Sequence, residues 1–434
     1  MTTYWCERAW LPGGIADGVL VDVRDGVITA VTPGAPRSGT VLAGLTVPGF
    51  ANGHSHAFHR ALRGRTHHER GTFWTWRERM YSLAARLDPD AYHRLARGVY
   101  AEMVLAGYTS VGEFHYLHHA PGGRPYASPN AMGEALREAA REAGIRLTLL
   151  DTCYLAGGIG VAPDEVQQRF SDGSAQQWAS RVSELAEDDL FRVGGAIHSV
   201  RAVPGADLPT VDAAVPAGRP LHIHLSEQRA ENEQCEAAYG WTPTGLLQHH
   251  GVLGDRIVAV HATHLTDQDV KWLGDARAAA CFCPTTERDL GDGIGPARQL
   301  LDAGVRLGVG SDSNAVVDAF EETRALELDD RLASEERGRF TAEELLAAGT
   351  DHASVGWPEV GRLAVGAGAD LVTVALDSVR TAGIEPSGVV FAAGAADVRH
   401  VVVAGRDVVR EGRHALVERP ETVLAEEIEA LWQF

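Results

Sequence analysis

Lysine is nearly missing from this chain. Lys271 is the single one among 39 basic residues, so the other 38 are arginines. Any chemistry that needs a lysine ammonium at an active centre therefore has one candidate. Cysteine is scarce as well: Cys6, Cys153, Cys235, Cys281 and Cys283 show no CxxC spacing, and an odd count in a long chain does not make a disulfide framework. No run of about eighteen apolar residues is present, which excludes a membrane-spanning helix. The opening "MTTYWCERAWLPGG" lacks the basic start and apolar core of a signal peptide, so a reduced, cytoplasmic protein is expected. Positive charge is also in deficit. A formal net charge of −20 repels phosphate backbones and anionic lipid, which argues against nucleic acid and membrane as partners.

What is present is an ordinary globular composition, with 45% hydrophobic residues and 48 glycines in 434 residues. That length fits one large barrel domain with a satellite. The ends are β-rich: "GVLVDVRDGVITAVTPG" alternates and carries a hairpin signal at "RDG", and the texture returns in "ADLVTVALD" and "VRHVVVAGRDVVREGRH". One small β-sandwich domain built from both termini, residues 1–47 and 365–434, is expected. The middle, 48–364, alternates β-like runs with helical patterns. The runs are "TVPGFANGHSH", "TSVGEFHY", "IRLTLLDTCY", "FRVGGAIHSVR", "RPLHIHLSE", "RIVAVHATH", "AAACFCPTT" and "VRLGVGSDS". Stretches such as "DAYHRLARGVYAEMVLAG" and "AMGEALREAAREAG" between them repeat apolar residues every three or four positions and end in glycine. Eight such units predict an α/β protein, a (β/α)8 TIM-like barrel. An open doubly wound sheet is the competitor, but no glycine-rich phosphate loop follows the first strand. Two segments are long for loops, "RALRGRTHHERGTFWTWRERMY" and "LAGGIGVAPDEVQQRFSDG", and both belong at the barrel's C-terminal mouth.

Barrel enzymes keep their chemistry where strands end. Here those ends carry His54 and His56 on the first strand, His198 on the fourth, His222 and His224 on the fifth, His261 on the sixth and Asp312 on the eighth. Strand side chains alternate, so His54 and His56 share a face. One histidine on a strand is more often packing than ligation; five strands presenting such residues at one rim reverse that expectation. Neutral imidazole and carboxylate are ordinary zinc ligands, and His54, His56, His224 and Asp312 form the expected metal set. His222 lies a layer deeper than His224 and is read as core or as support for the ligands. His261 is better placed than His264 to face the barrel axis. The pairs His67–His68, His118–His119 and His249–His250 stand in polar segments and are assigned to the surface.

With "HSH", "HLSE", "HATH" and "GSDS" after the first, fifth, sixth and eighth strands, the chain resembles the amidohydrolase superfamily, and within it the mononuclear-zinc deaminases. "TFWTWRE", "EFHYLHH", "HSVRAV" and "CPTTERDLGDG" narrow the resemblance to the formimidoylglutamate deiminases. The resemblance implies one zinc ion per chain on His54, His56, His224 and Asp312, with Glu227, His261 and Asp312 as proton-transfer groups. It also carries Tyr116 and His198 to the substrate pocket and implies a homodimer. Lys271 sits in a polar helical stretch, not on a barrel strand, which agrees with one metal and not two bridged by a carboxylated lysine. One departure stands out: the family's His-Ala-Phe-Gln reads His56-Ala57-Phe58-His59 here, so an imidazole replaces an amide near the substrate.

The implied substrate, N-formimino-L-glutamate, is a small dicarboxylate whose amidine-like carbon would be hydrolysed, as in histidine degradation. Arginine holds carboxylates best, through its bidentate fork. Arg201, three residues after His198, and Arg77, in the aromatic setting "FWTWRERMY", are the candidates. Two other functions compete. A deaminase of guanine, cytosine or an adenosine derivative would use the same metal set but leave both arginines idle. A non-catalytic scaffold would be expected to have lost ligands, and none is missing.

Overall fold

The computed structural model describes residues 1–66 and 73–433. Its sixteen strands, in chain order among these residues, begin with β1 (Thr2–Leu11), β2 (Gly14–Arg24), β3 (Val27–Thr32) and β4 (Thr40–Pro48). The next eight are β5 (Phe50–Ser55), β6 (Tyr108–His115), β7 (Arg146–Cys153), β8 (Phe191–Ile197), β9 (Leu221–Leu225), β10 (Ile257–His261), β11 (Ala279–Phe282) and β12 (Arg306–Val309). The last are β13 (Leu371–Val374), β14 (Val398–Val403), β15 (Arg406–Arg410) and β16 (Arg413–His414).

Strands β5 to β12 pair in sequence order, every pair parallel, and they are the eight runs read from the sequence. The sheet closes where its first and last members meet. A parallel bridge joins Ser55 to Asp312, His56 N–H donates to the Asp312 carbonyl at 2.9 Å, and Asp312 N–H donates to the His54 carbonyl at 2.9 Å. Side chains reinforce this seam. Asn52 Nδ2 donates to Ser311 Oγ at 2.7 Å, and Asn314 Nδ2 donates to the His56 carbonyl at 3.1 Å. The architecture is a (β/α)8 barrel.

The helices cover the barrel for reasons visible in their sequences. The helix Pro89–Leu105 starts at Asp88, whose carboxylate accepts the Ala91 N–H, with Pro89 supplying a preset first turn. It buries Tyr92, Leu95, Ala96, Val99, Tyr100 and Met103, one face at three- and four-residue spacing. The helix Ala131–Ala143 buries Met132, Leu136, Ala139, Ala140 and Ala143, and stops at Gly144, which takes the left-handed conformation at φ 75°.

The two chain ends meet in one eight-stranded sheet of order β16-β15-β14-β13-β4-β1-β2-β3, in which only β1 and β4 run parallel. The "RDG" turn joins β2 to β3 with Asp25 and Gly26 both at positive φ, as a tight hairpin requires. Tyr4, Cys6, Val19, Val21, Ile28, Leu42, Leu363, Leu371 and Val402 form its own buried cluster.

Candidate active site

Phe50–Ser55 is buried at every position because helices cover one face of the strand and the barrel interior the other. His54 and His56 therefore leave it pointing inward, where their Nε2 atoms approach to 3.2 Å. His224, at the end of β9, brings its Nε2 to 3.2 Å from that of His54. Asp312 Oδ1 lies 3.4 Å from both His54 Nε2 and His56 Nε2. The four expected ligands thus converge at one point of the rim.

Burial, followed by the neighbouring imidazoles, holds His54 and His224 well below the ordinary histidine range, and burial followed by His54 brings His56 down to about 3. The rings are neutral. The Nδ1 of His56 faces the Phe114 carbonyl at 2.9 Å, which places the ring proton there and leaves Nε2 a bare lone pair. His54 Nε2 has three close acceptors or lone pairs around it and at most one proton to share. A cation resolves that arrangement. Ligands about 2.0–2.1 Å from a shared tetrahedral ion stand about 3.3–3.4 Å from each other, close to the separations found, so the residues fit a metal ion.

His261 adds a fifth group. Its Nε2 is 3.9 Å from Asp312 Oδ2 and its Nδ1 is 3.3 Å from Glu287 Oε1. Burial works against a charge on His261, but Glu227, Glu287 and Asp312 overcome it and raise the pKa well above the usual value. Backbone strain concentrates here too: Ser226, His261, Ala262, Asp312 and Asn314 all take positive φ, a conformation that costs a side-chain-bearing residue about 1–2 kcal/mol. Glu113 sits behind the ligands and accepts the Ala57 N–H at 2.6 Å. Burial pushes its carboxyl up to about 8.

Above the cluster lies a pocket lined by every expected substrate residue: His59, Arg77, Tyr116, His198 and Arg201, together with Glu227. His59 Nε2 meets Tyr116 Oη at 3.0 Å. Arg77 lies on the helix Phe73–Ala84 and donates to Tyr81 Oη at 2.8 Å through Nε. Both long loops reach this mouth, the first with Trp76, Met80 and Tyr81 and the second with Ala156, Gly157 and Phe170. Tyr81, Tyr154 and Phe170 were not anticipated. Tyr154 alone carried a signal, as the residue that follows the end of β7. Glu287 was within a quoted motif, but nothing in its spacing announced its contact with His261.

Of the remaining histidines, His222 is core, its Nε2 2.8 Å from the Ser354 carbonyl. His264 is half-buried, His249 exposed and His250 half-buried. His67 and His68 lie outside the described residues. His118 and His119 are not at the surface: they are 1% and 4% exposed. His119 Nε2 reaches Asp172 Oδ1 at 3.0 Å, and His118 Nε2 meets the Thr152 carbonyl at 2.9 Å. Lys271 is exposed beside Asp275 and far too solvated to bridge metals.

A closed parallel barrel with histidines and an aspartate converging at its C-terminal rim defines a metal-dependent hydrolase. Comparison with known proteins agrees. The profile described as "Amidohydrolase family" matches residues 45–408. A formimidoylglutamate deiminase from Pseudomonas aeruginosa is 40% identical over 96% of this chain and 97% of its own. The crystal structure of an amidohydrolase from Brucella melitensis superposes with a TM-score of 0.93 at 33% identity, covering 100% of both chains. An adenosine deaminase from Xanthomonas campestris, solved with bound zinc, shares the fold with a TM-score of 0.85 at 22% identity over 99% of this chain and 97% of its own. The chain belongs to the amidohydrolase family.

Proposed function

We propose that this chain hydrolyses N-formimino-L-glutamate to N-formyl-L-glutamate and ammonia, a step of histidine degradation, with one zinc ion held by His54, His56, His224 and Asp312. The observation that carries the reading is one pocket in which this donor set of three imidazoles and a carboxylate stands beneath two arginines, Arg77 and Arg201. The name of the 40% identical relative points the same way. A heterocycle deaminase could use the donor set but would have no use for the two guanidinium groups.

When bound, zinc at this donor set supplies the acidification of water on which hydrolysis near neutral pH depends. The rest falls to the side chains. Asp312, facing His261 across 3.9 Å, takes the proton from the attacking water, and His261 steadies the charge this creates. Glu227 delivers a proton to the terminal nitrogen of the substrate. A C–O bond forms at the formimino carbon as the nitrogen takes the Glu227 proton. The proton held by Asp312 then joins that nitrogen, and the new hydroxyl returns its proton to Glu227. The C–N bond breaks, nitrogen leaves as ammonia and the carbon remains as formyl. Acid–base help of this kind contributes about 10² to 10⁴ in rate. Arg77 and Arg201 hold the two carboxylates, and Tyr116, His198 and His59 shape the space between them and the reacting carbon. The reading carries with it a cytoplasmic homodimer whose residues 1–47 and 365–434 form a β-rich domain beside the 48–364 barrel.

Ammonia release from N-formimino-L-glutamate by zinc-loaded protein, with a metal-stripped control, tests this. Zinc-dependent turnover is expected. No turnover with one zinc per chain bound would overturn the substrate and leave the hydrolytic centre.

A further inference from the structure

Glu231 is a buried carboxylate with no assigned task. Its side chain is 0% exposed, and neither oxygen has a hydrogen-bond partner among the described residues. An ionised carboxylate stripped of water and of donors is costly unless a cation stands nearby. One does: Arg201 Nε lies 3.7 Å from Glu231 Oε1, and it too lacks a hydrogen bond. That gap is just too long for a hydrogen bond and short enough for strong attraction in a dry setting. Burial drives the Glu231 carboxyl up to about 7, and Arg201 pulls it back toward ionisation.

The geometry divides the guanidinium in two. The Nε side faces Glu231. The terminal nitrogens make no hydrogen bond to any described residue, and the side chain, 29% exposed, opens on the pocket. A fork held from behind and open in front suits a ligand carboxylate. The placement follows from the chain. Glu231 lies in the first turn of the helix Arg229–Tyr239, and its N–H is fixed on the Gln228 carbonyl at 2.9 Å. Glu227, four residues earlier and ahead of that helix, lines the pocket, so one short segment supplies both a pocket carboxylate and the residue behind the arginine.

We propose that Glu231 is a positioning residue that holds Arg201 in the orientation that receives a substrate carboxylate, and so sets affinity for acidic substrates without touching them. The inference rests on the dicarboxylate reading above and deepens it.

The test measures glutarate binding by calorimetry in zinc-loaded wild type, Glu231→Gln, Arg201→Met and the double variant. Steady-state kinetics then compares N-formimino-L-glutamate with N-propylformamidine, which has the amidine and no carboxylate. In Glu231→Gln, glutarate affinity should fall about tenfold and KM for the acidic substrate rise in step. Its kcat should stay within about twofold, and N-propylformamidine should be handled as by wild type. In the Arg201→Met background, Glu231→Gln should add nothing. Unchanged glutarate affinity, equal losses on both substrates, or a loss that persists without Arg201 would each overturn the proposal. Should Glu231→Gln not fold, Glu231→Asp, which keeps the charge but withdraws it by one methylene, carries the same test. An intermediate loss then supports the proposal and no loss overturns it. The two readings fail separately. Wild type that binds glutarate but leaves N-formimino-L-glutamate intact sinks only the substrate, whereas glutarate binding indifferent to Glu231 sinks only the positioning role.

Discussion

Strand β6 separates two histidine–carboxylate clusters that look alike on paper. Phe114 points inward, its ring packed against His54 and His224 at the barrel rim. The next residue, His115, joins His118, His119, Asp151 and Asp172 beneath the helices. Both clusters are buried, and both bring three ligand-type residues within reach of one ion. The outer one already holds a cation. Arg181 donates to Asp151 at 2.8 and 2.9 Å and to Asp172 at 2.9 and 3.0 Å, and Trp178 Nε1 adds a bond to Asp151 at 2.9 Å. At the rim no side-chain guanidinium or ammonium occupies the corresponding place among the described residues, and the lone pairs converge on one another. Residue types do not make a metal site; an unmet demand for positive charge does.

Breaking the rim should have the largest effect. Asp312→Ala should lower turnover by about 10³ or more and bring zinc below one per chain by atomic emission; full turnover with zinc retained would remove Asp312 from the donor set. Breaking the outer cluster should cost stability and not chemistry. Arg181→Met leaves two carboxylates buried without their partner, a loss of about 3–5 kcal/mol, read by chemical denaturation. Zinc content and kcat of the folded fraction should not change, and a second zinc per chain would show that Arg181 was the only barrier to metal there.

The third prediction concerns pH. Burial, then Arg181, lowers His118 to about 4, against about 6.5 in the unfolded chain. The unfolded state therefore takes up the proton first. Stability is full above about pH 6.5 and falls as pH drops toward 4, by up to about 3 kcal/mol for this one group. Asp151, held at about 2 by Arg181 against its burial, acts lower: its contribution is present above about pH 4 and lost toward pH 2. Urea denaturation across pH should show His118→Gln flattening the upper window and sparing the lower. Parallel curves for variant and wild type would contradict a neutral His118.

The contrast also explains what was legible before the structure. The eight strands and the residues that converge at the rim could be read because their signals are local: apolar runs, strand alternation and histidines placed where strands stop. His118 and His119 were misplaced for the opposite reason. The "LHHAPGG" around them has the texture of an exposed turn, and their burial depends on Asp151, Asp172 and Arg181, which arrive from later segments. Glu231, Glu287 and the aromatic lining of the pocket belong to the same class. A glutamate on a polar helix or a tyrosine in a loop has no periodicity that reveals which arginine or histidine it will meet. His59 was visible as a departure from a motif, but its contact with Tyr116 was not.

The barrel seam has a consequence for synthesis and turnover. Asn52 and Ser311, which pin the seam, are 259 residues apart in the chain, and the donor set straddles that same join through His54, His56 and Asp312. Such a contact carries a loop-closure cost that local pairs do not. A nascent chain on the ribosome owns two of the four donors long before the last exists, and a nicked or truncated product that loses β12 keeps three. On the proposed reading the donor set is thus a proofreading mark on the finished fold: it is complete only in a chain made to full barrel length and closed.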